Sequence, residues 1–326
     1  MQEAGNIKKY KKEVDGALAN DFLRKAMDNF AVSYRSSRET VFAGMDVDQM
    51  VAEIAEAKDA AIARMDELYE QFKTNAEKAG VKVHLAETAR EANEIICKIA
   101  KDNGVSKIIK SKSMTAEETL LNHHLEENDL EVTETDLGEW IIQLRHEGPS
   151  HMVMPAIHLS RHQVGDLFTD VTGKKQASEN IDHLVKVARR QLRQKFIAAD
   201  MGISGANFAL ADTGTLGITT NEGNARLVTT LPRVHVALVG LEKLMPTLHD
   251  ALLVNRVLPR NATGQAITSY VTWISGANEC KADETGRKQM HIVFLDNGRR
   301  KLAKDPVFSQ VLRCVRCGAC ANVCPV

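Results

Sequence analysis

The sequence predicts an α/β protein built on an open, mainly parallel sheet, with a helical extension before the sheet and a cysteine-rich segment after it. Three observations lead there. From Gly80 onward, short β-branched runs alternate with amphipathic stretches opened by helix-capping residues, the pattern of strands joined through crossover helices. Before Gly80 the apolar residues recur at helical spacing. Near the end, four of the six cysteines fall between positions 314 and 324. These shifts divide the chain into residues 1–79, a helical extension, residues 80–298, the α/β domain, and residues 299–326, a metal-binding segment.

Taken in order, residues 8–12 are a basic lead-in, read as a solvated helix start, to an amphipathic helix carrying Leu18, Phe22, Leu23 and Met27. Residues 34–40 are polar and turn-like. Asp46 caps a single long helix through Ala79, with Met50, Ile54, Ala61, Met65, Leu68 and Phe72 on one stripe. Val81 to Ala86 reads as the first strand, Thr88 with Glu91 as a capping box, Lys107 to Lys110 as the next strand, and Thr115 with Glu118 as another box. A strand at 130–133, a helix around Trp140, a strand at 151–157 and helices at 160–168 and 178–199 follow. Between Gly202 and Gly240 four short strands are expected, at 206–211, 216–220, 226–230 and 234–239, separated by Gly- and Asn-bearing turns. A covering helix at 242–257, strands at 267–275 and 291–295, a polar loop at 277–288 and a short helix at 306–312 complete the reading.

Composition excludes several classes. Hydrophobic residues at 44% and charged residues at 26% are ordinary for a globular chain of 326 residues, which can bury a sizeable core. Lys plus Arg (42) nearly balances Asp plus Glu (43), so no basic field argues for nucleic acid. No apolar run approaches the ~18 residues of a membrane span, and the N-terminus lacks the apolar core of a signal peptide. The expectation is a cytoplasmic protein in a reducing compartment. Dinucleotide-binding, P-loop and serine-hydrolase fingerprints are missing from the sequence.

The cysteine run Cys314-x2-Cys317-x2-Cys320-x3-Cys324-Pro325 has the spacing of bacterial ferredoxins, in which closely spaced thiolates wrap an iron–sulfur cube. Gly318 and Ala319 keep side chains small where backbone amides must approach the sulfurs, and Pro325 turns the chain away. Structural zinc sites draw paired cysteines from separated knuckles and fit this order poorly. A 4Fe–4S cluster is therefore expected on Cys314, Cys317, Cys320 and Cys324. In two-cluster ferredoxins the fourth cysteine of such a run serves the other cluster. With the chain stopping at Val326, the favoured expectation is a truncated product; closure by Cys324 alone, or recruitment of Cys280 or Cys97, stays open. A second cluster is expected only in a naturally longer chain.

Two further constellations could bind a ligand. Lys110-Ser111-Lys112-Ser113 stands between a strand end and a capped helix, where open sheets bind anions such as carboxylates. A polar loop with solvated lysines is the plainer reading of the same residues. Thr213 and Gly214, with Asn221, Glu222, Gly223, Asn224 and Arg226, place a carboxylate and a guanidinium beside two tight turns. Hairpin chemistry accounts for Asn221 and Gly223 individually, less readily for Glu222 and Arg226. The histidines at 146, 151, 158 and 162 lack a metal-protease spacing and read as structural or surface groups.

Several segments together resemble the iron–sulfur lactate-utilization protein B family: Lys110 to Met114, Gly205 to Phe208, Thr213 to Leu216, Thr220 to Pro232, Val239 to Leu244 and Leu312 to Cys320. The resemblance runs in order over nearly the whole chain. It implies a LUD domain with the fold of glucosamine-phosphate isomerases, ribose-phosphate isomerases and CoA transferases, followed by a ferredoxin-type segment whose second cysteine motif is missing here. It also implies an electron-handling role in a cytoplasmic complex, with other lactate-utilization subunits as partners, that oxidises L-lactate to pyruvate. On that reading Lys110, Lys112 and Arg226 hold the carboxylate of a small hydroxy acid, and Glu222 orients it or accepts a proton. Ser111, Thr213, Gly214, Asn221, Gly223 and Asn224 complete the pocket. The rivals are an acyl- or CoA-transferase-like enzyme with Glu222 as nucleophile and a structural metal, and a scaffold for partner subunits.

Overall fold

A computed structural model describes residues 7–277 and 288–324. Four helices precede the first strand: α1 (Ile7–Leu18), α2 (Asp21–Phe42), α3 (Val47–Ala63) and α4 (Met65–Lys78). Strand β1 (Lys82–Ala86), helix α5 (Ala89–Asp102), strand β2 (Lys107–Lys110), helices α6 (Met114–Thr119) and α7 (Leu121–Glu126) and strand β3 (Glu131–Glu134) follow. Next come α8 (Leu137–Arg145), α9 (Arg161–Thr172), α10 (Ile181–Ala198), β4 (Met201–Ser204), β5 (Phe208–Leu210) and β6 (Thr215–Thr220). The chain continues through α11 (Asn224–Thr230), β7 (Val234–Gly240), β8 (Leu244–Met245), α12 (Leu248–Thr263), β9 (Tyr270–Ile274), β10 (Gln289–Leu295), α13 (Arg299–Ala303) and α14 (Ala319–Asn322).

Six strands form an entirely parallel sheet in the order β1-β10-β7-β4-β2-β3. A second, mixed sheet runs β8-β5-β6-β9, with β6 antiparallel to both β5 and β9. The expected α/β architecture with a parallel sheet is what the chain adopts. Strand β7 is buried along its whole length, which is why its sequence, Val-His-Val-Ala-Leu-Val-Gly, is almost continuously apolar instead of alternating. One face of the sheet buries Ile96, Ala100 and Leu121 from the α5–α7 side. The other buries Leu68, Phe72 and Ala76 of α4, and Phe72 meets Phe294 of β10 edge-to-face with centroids 5.1 Å apart. Among the described residues no helix is long and apolar enough to cross a membrane.

Several local expectations are corrected. Residues 34–40 lie inside α2, and Tyr34 is buried with its hydroxyl donating to the Asn261 carbonyl at 2.6 Å. The long helix from Asp46 divides at Arg64, which ends α3 and begins α4. The break lets α3 cover α12 while α4 turns onto the sheet. The cap expected at Thr115 is Ser113, whose hydroxyl accepts from the Ala116 amide. Residues 226–230 are helical, because Ala225, Val228 and Thr229 bury one side at helical spacing. Residues 151–157 make turns, since His151 Nδ1 accepts the amides of Val153 and Met154 and draws the backbone out of a ladder. The covering helix starts at Leu248 behind a Thr247–Asp250 capping box, leaving Glu242 in a short 3-10 turn. Strand β4 was not anticipated; its four residues, buried on both faces, show no alternation. The polar loop expected at 277–288 lies almost wholly outside the described residues, as do Cys280 and Pro325.

Candidate functional site

Strand β2 continues outward through α6 and α7 to β3, whereas its neighbour β4 leads inward, through the mixed sheet and α11, to β7. The chain parts at their adjacent carboxyl ends, and such a switch point opens a crevice in parallel sheets. A cleft of about 360 Å³ lies there. One wall is Ser111, Lys112 and Ser113 after β2; a second is Gly205 to Asn207 after β4; a third is the end of β6 with Asn221, Glu222 and Asn224. The last comes from the far end of the chain: Val315, Arg316 and Cys317.

Of the expected ligand-binding residues the cleft thus gathers Ser111, Lys112, Asn221, Glu222 and Asn224, and leaves out Lys110, Thr213, Gly214, Gly223 and Arg226. Lys112 Nζ lies 3.1 Å from Glu139 Oε1, whose pKa is raised by burial against the opposing pull of Lys112. Glu222 is surface-exposed at the rim, yet its pKa is pushed up to about 7, first by desolvation in the cleft mouth and then by Asp136, with Lys112 acting against both. Its solvent contact moderates the size of that shift but not its direction. Asn221 spans the rim, donating to Gln265 Oε1 at 2.6 Å and accepting the Ser269 amide at 3.2 Å. Asn224 donates to Thr135 Oγ1 at 3.4 Å.

Lys110 is 0% exposed and does not line the cleft; its ammonium lies 2.8 Å from Glu134 and 3.4 Å from Glu117. Burial alone would depress its ammonium; those carboxylates outweigh it and hold the pKa above the ordinary value. Arg226 stacks on the Tyr270 ring, 4.6 Å from the centroid, and does not line the cleft. Thr213 and Gly214 belong to the β5–β6 turn: Gly214 has φ +66, and a Cβ there would stand 2.3 Å from the Ala76 amide nitrogen of α4. Gly223 precedes α11 and meets nothing a Cβ would touch.

The cysteine segment docks onto the residues that had been expected to form a strand. Gly318, at φ +77, lies so close to Val153 that a Cβ would reach 2.4 Å from Val153 Cγ2. Cys317 is half-buried; Cys314, Cys320 and Cys324 are exposed, and Cys97 is buried in α5. Burial raises the Cys317 thiol, with the Ala319 amide opposing and Cys314 and Cys320 close enough to push it further up. The Arg316 amide donates to Cys314 Sγ at 3.4 Å. Among the described residues no three His, Cys, Asp or Glu side chains are grouped to hold a metal ion. The donor chemistry nevertheless suits a thiolate-bound cluster: three neighbouring thiols, amides aimed at two sulfurs, and a left-handed glycine that brings the backbone close.

A charged network that sequence reasoning missed anchors this segment. Glu118 accepts from Arg299 at 2.8 and 3.0 Å, from Asn297 at 2.9 Å, and from Arg316. Burial would raise the Glu118 carboxyl, but those donors bring it down to about 2. Arg299 also bonds Glu242, and Arg316 donates to the Met114 carbonyl at 2.8 Å. Behind Cys314 stand two buried lysines. Lys58 donates to the Glu242 carbonyl and has its pKa lowered to about 8, by burial first and by Lys243 second. Lys243, lowered chiefly by burial, lines the cleft. The motif Val239 to Leu244 contained Lys243, but nothing in its spacing marked a ligand role.

The fold and this site define an α/β protein with a cleft at its strand switch point, lined by Lys112, Lys243 and Arg316 together with Asp136 and Glu222, and walled on one side by a cysteine-rich segment. The LUD domain profile matches residues 69–295, and the chain belongs to that family. It is similar to lactate utilization protein B of Oceanobacillus iheyensis, 40% identical over 321 residues that cover 97% of this chain and 66% of that protein. Lactate utilization protein B of Bacillus licheniformis is 39% identical over 320 residues, 98% of this chain and 66% of its own. The chain therefore spans about two thirds of the length of these relatives. A DUF162 family protein of Deinococcus radiodurans matches 71% of this chain and 98% of its own, at 14% identity and TM-score 0.39.

Proposed function

We propose that this chain is an iron–sulfur electron-transfer subunit of a cytoplasmic complex that oxidises L-lactate to pyruvate, with other lactate-utilization subunits as its partners. The names of its relatives support the substrate and the process. One observation carries the rest: Arg316 and Cys317 line the same cleft as Lys112 and Glu222. Cys314, Cys317, Cys320 and Cys324 would hold a 4Fe–4S cluster, which supplies one-electron transfer when bound. The residues of the chain do the remaining work. The cleft receives the carboxylate, and Glu222, with its pKa near neutrality, takes the proton from the substrate hydroxyl, while the α-hydrogen leaves with its electron pair to a two-electron acceptor in a partner subunit. Oxidation of lactate releases two electrons, so a relay that hands single electrons to partner subunits fits better than a complete dehydrogenase.

The finer assignments belong to the same proposal: the sheet is of the isomerase and CoA-transferase type, and residues 1–79, 80–298 and 299–326 are its three parts. A transferase reading draws on the same rim position of Glu222. Trapping of a glutamyl thioester with hydroxylamine, using acyl-CoA substrates, would support it over the relay.

The test is iron and acid-labile sulfide per chain, with an EPR spectrum of the reduced protein, after reconstitution without oxygen. About four of each are expected, with a signal abolished in Cys317→Ala. Zinc in their place, or no bound metal, would overturn the proposal.

A further inference from the structure

Around the cysteine segment cations outnumber carboxylates. Lys58, Lys243, Arg299 and Arg316 have Glu118 and Glu242 as their carboxylate partners, with the Cys314 thiol near Lys58 and Lys243. A buried cation without a hydrogen-bonding partner is costly and favours an anion beside it. Three of the cations are already committed. Arg299 bonds both carboxylates, Arg316 bonds Glu118 and the Met114 carbonyl, and Lys58 bonds the Glu242 carbonyl. Lys243 is different. It is 7% exposed, and among the described residues its ammonium has no hydrogen-bond acceptor. The nearest carboxylate oxygen, Glu242 Oε1, is 3.9 Å away, beyond hydrogen-bond reach. That oxygen itself has no hydrogen-bond partner, so the two groups are close without pairing. Lys243 also lines the cleft, as Lys58 does not.

We propose that Lys243 is the carboxylate-binding residue of the cleft, seating the acid group of a small 2-hydroxy acid or its 2-oxo product against the wall formed by Arg316 and Cys317. This inference rests on the hydroxy-acid reading above and replaces Lys110 and Arg226, which do not reach the cleft, in the role expected for them. Lys112 also lines the cleft, but is held by Glu139. With the carboxylate at Lys243, the α-carbon and its hydroxyl lie in the cleft between the cysteine wall and the Glu222 rim.

Binding is measured by calorimetry on the 326-residue chain with L-lactate, pyruvate and, as a non-substrate anion, inorganic sulfate. Three proteins are compared: wild type, Lys243→Met and Lys243→Arg, each first shown to be folded by thermal unfolding. Lys243→Met, which keeps the length of the side chain and removes the unmatched charge, is expected to weaken lactate and pyruvate at least tenfold, with partial recovery in Lys243→Arg. Equal lactate affinity in wild type and Lys243→Met would overturn the role of Lys243 while leaving the hydroxy-acid reading in place. Sulfate binding that is lost in Lys243→Met, without any lactate or pyruvate binding by wild type, would keep the anion site and reject the hydroxy acid. No binding of any of the three anions by wild type would overturn this inference without touching the cluster measurement.

Discussion

Replacing Glu118 by Gln keeps its shape and removes the charge on which Arg299 and Arg316 converge. The fall of its carboxyl pKa from the ordinary 4.5 to about 2 corresponds to about 3 kcal/mol of preference for the charged form. The side chain is 23% exposed and partly solvated, which reduces that contribution to roughly 2 kcal/mol. Because the folded-state value lies below the unfolded one, the contribution is complete above about pH 4.5 and is lost as pH falls through about 2. Urea unfolding of wild type and Glu118→Gln at pH 7, 5 and 3 reads it directly. The variant is expected to be less stable by roughly 2 kcal/mol at pH 7 and 5, with the gap narrowing at pH 3. A gap below about 0.5 kcal/mol at pH 7, or one that persists unchanged in acid, would refute the assignment of Glu118 as the anchor of the cysteine segment.

Glu222 supplies a second pH signature. Its raised carboxyl ionises as pH rises through about 7, placing negative charge at the rim, so the affinity for a carboxylate ligand is expected to fall severalfold over that interval. Calorimetric titration of Glu222→Gln should be flat over the same range; a slope like that of wild type would assign the effect elsewhere. Lys110→Met should cost about 3–5 kcal/mol by leaving Glu134 buried without its cation, while ligand affinity of the folded fraction stays unchanged. Loss of lactate affinity at intact stability would return Lys110 to the ligand site.

Much of the fold could be read locally because its signals are local. The cap residues Asp46, Thr88 and Ser160 each hold a nearby amide, and the long apolar run of β7 announces a strand buried on both faces, whereas the caps Asn20 and Thr247 went unread. The failures share a cause. Residues 226–230 carry β-branched side chains, yet the burial of Val228 against the central strands decides for a helix. His151 looks like a strand residue until its ring captures two amides. In the site, Lys112, Asn221 and Glu222 stood in recognisable loops at strand ends. Lys243 and Arg316 did not, because what makes them interesting is long-range: a lysine that has no hydrogen-bond acceptor among the described residues, and an arginine reaching a carbonyl 202 positions away. Lys110 misled for the converse reason: it stands in the same recognisable loop, but the long-range carboxylate of Glu134, with Glu117, holds its ammonium in the interior.

The far wall of the cleft has a consequence for the order in which the protein is made. A ribosome releases residues 111–115 and 205–225 long before residues 315–317. Until those last residues arrive, the crevice is an open trough, and Glu118 and Met114 have no Arg316 to hold. Contacts of such sequence separation form late. The wall that closes the trough also carries the thiols, so a ligand can be fully enclosed only by a molecule whose cysteines are already in position beside it.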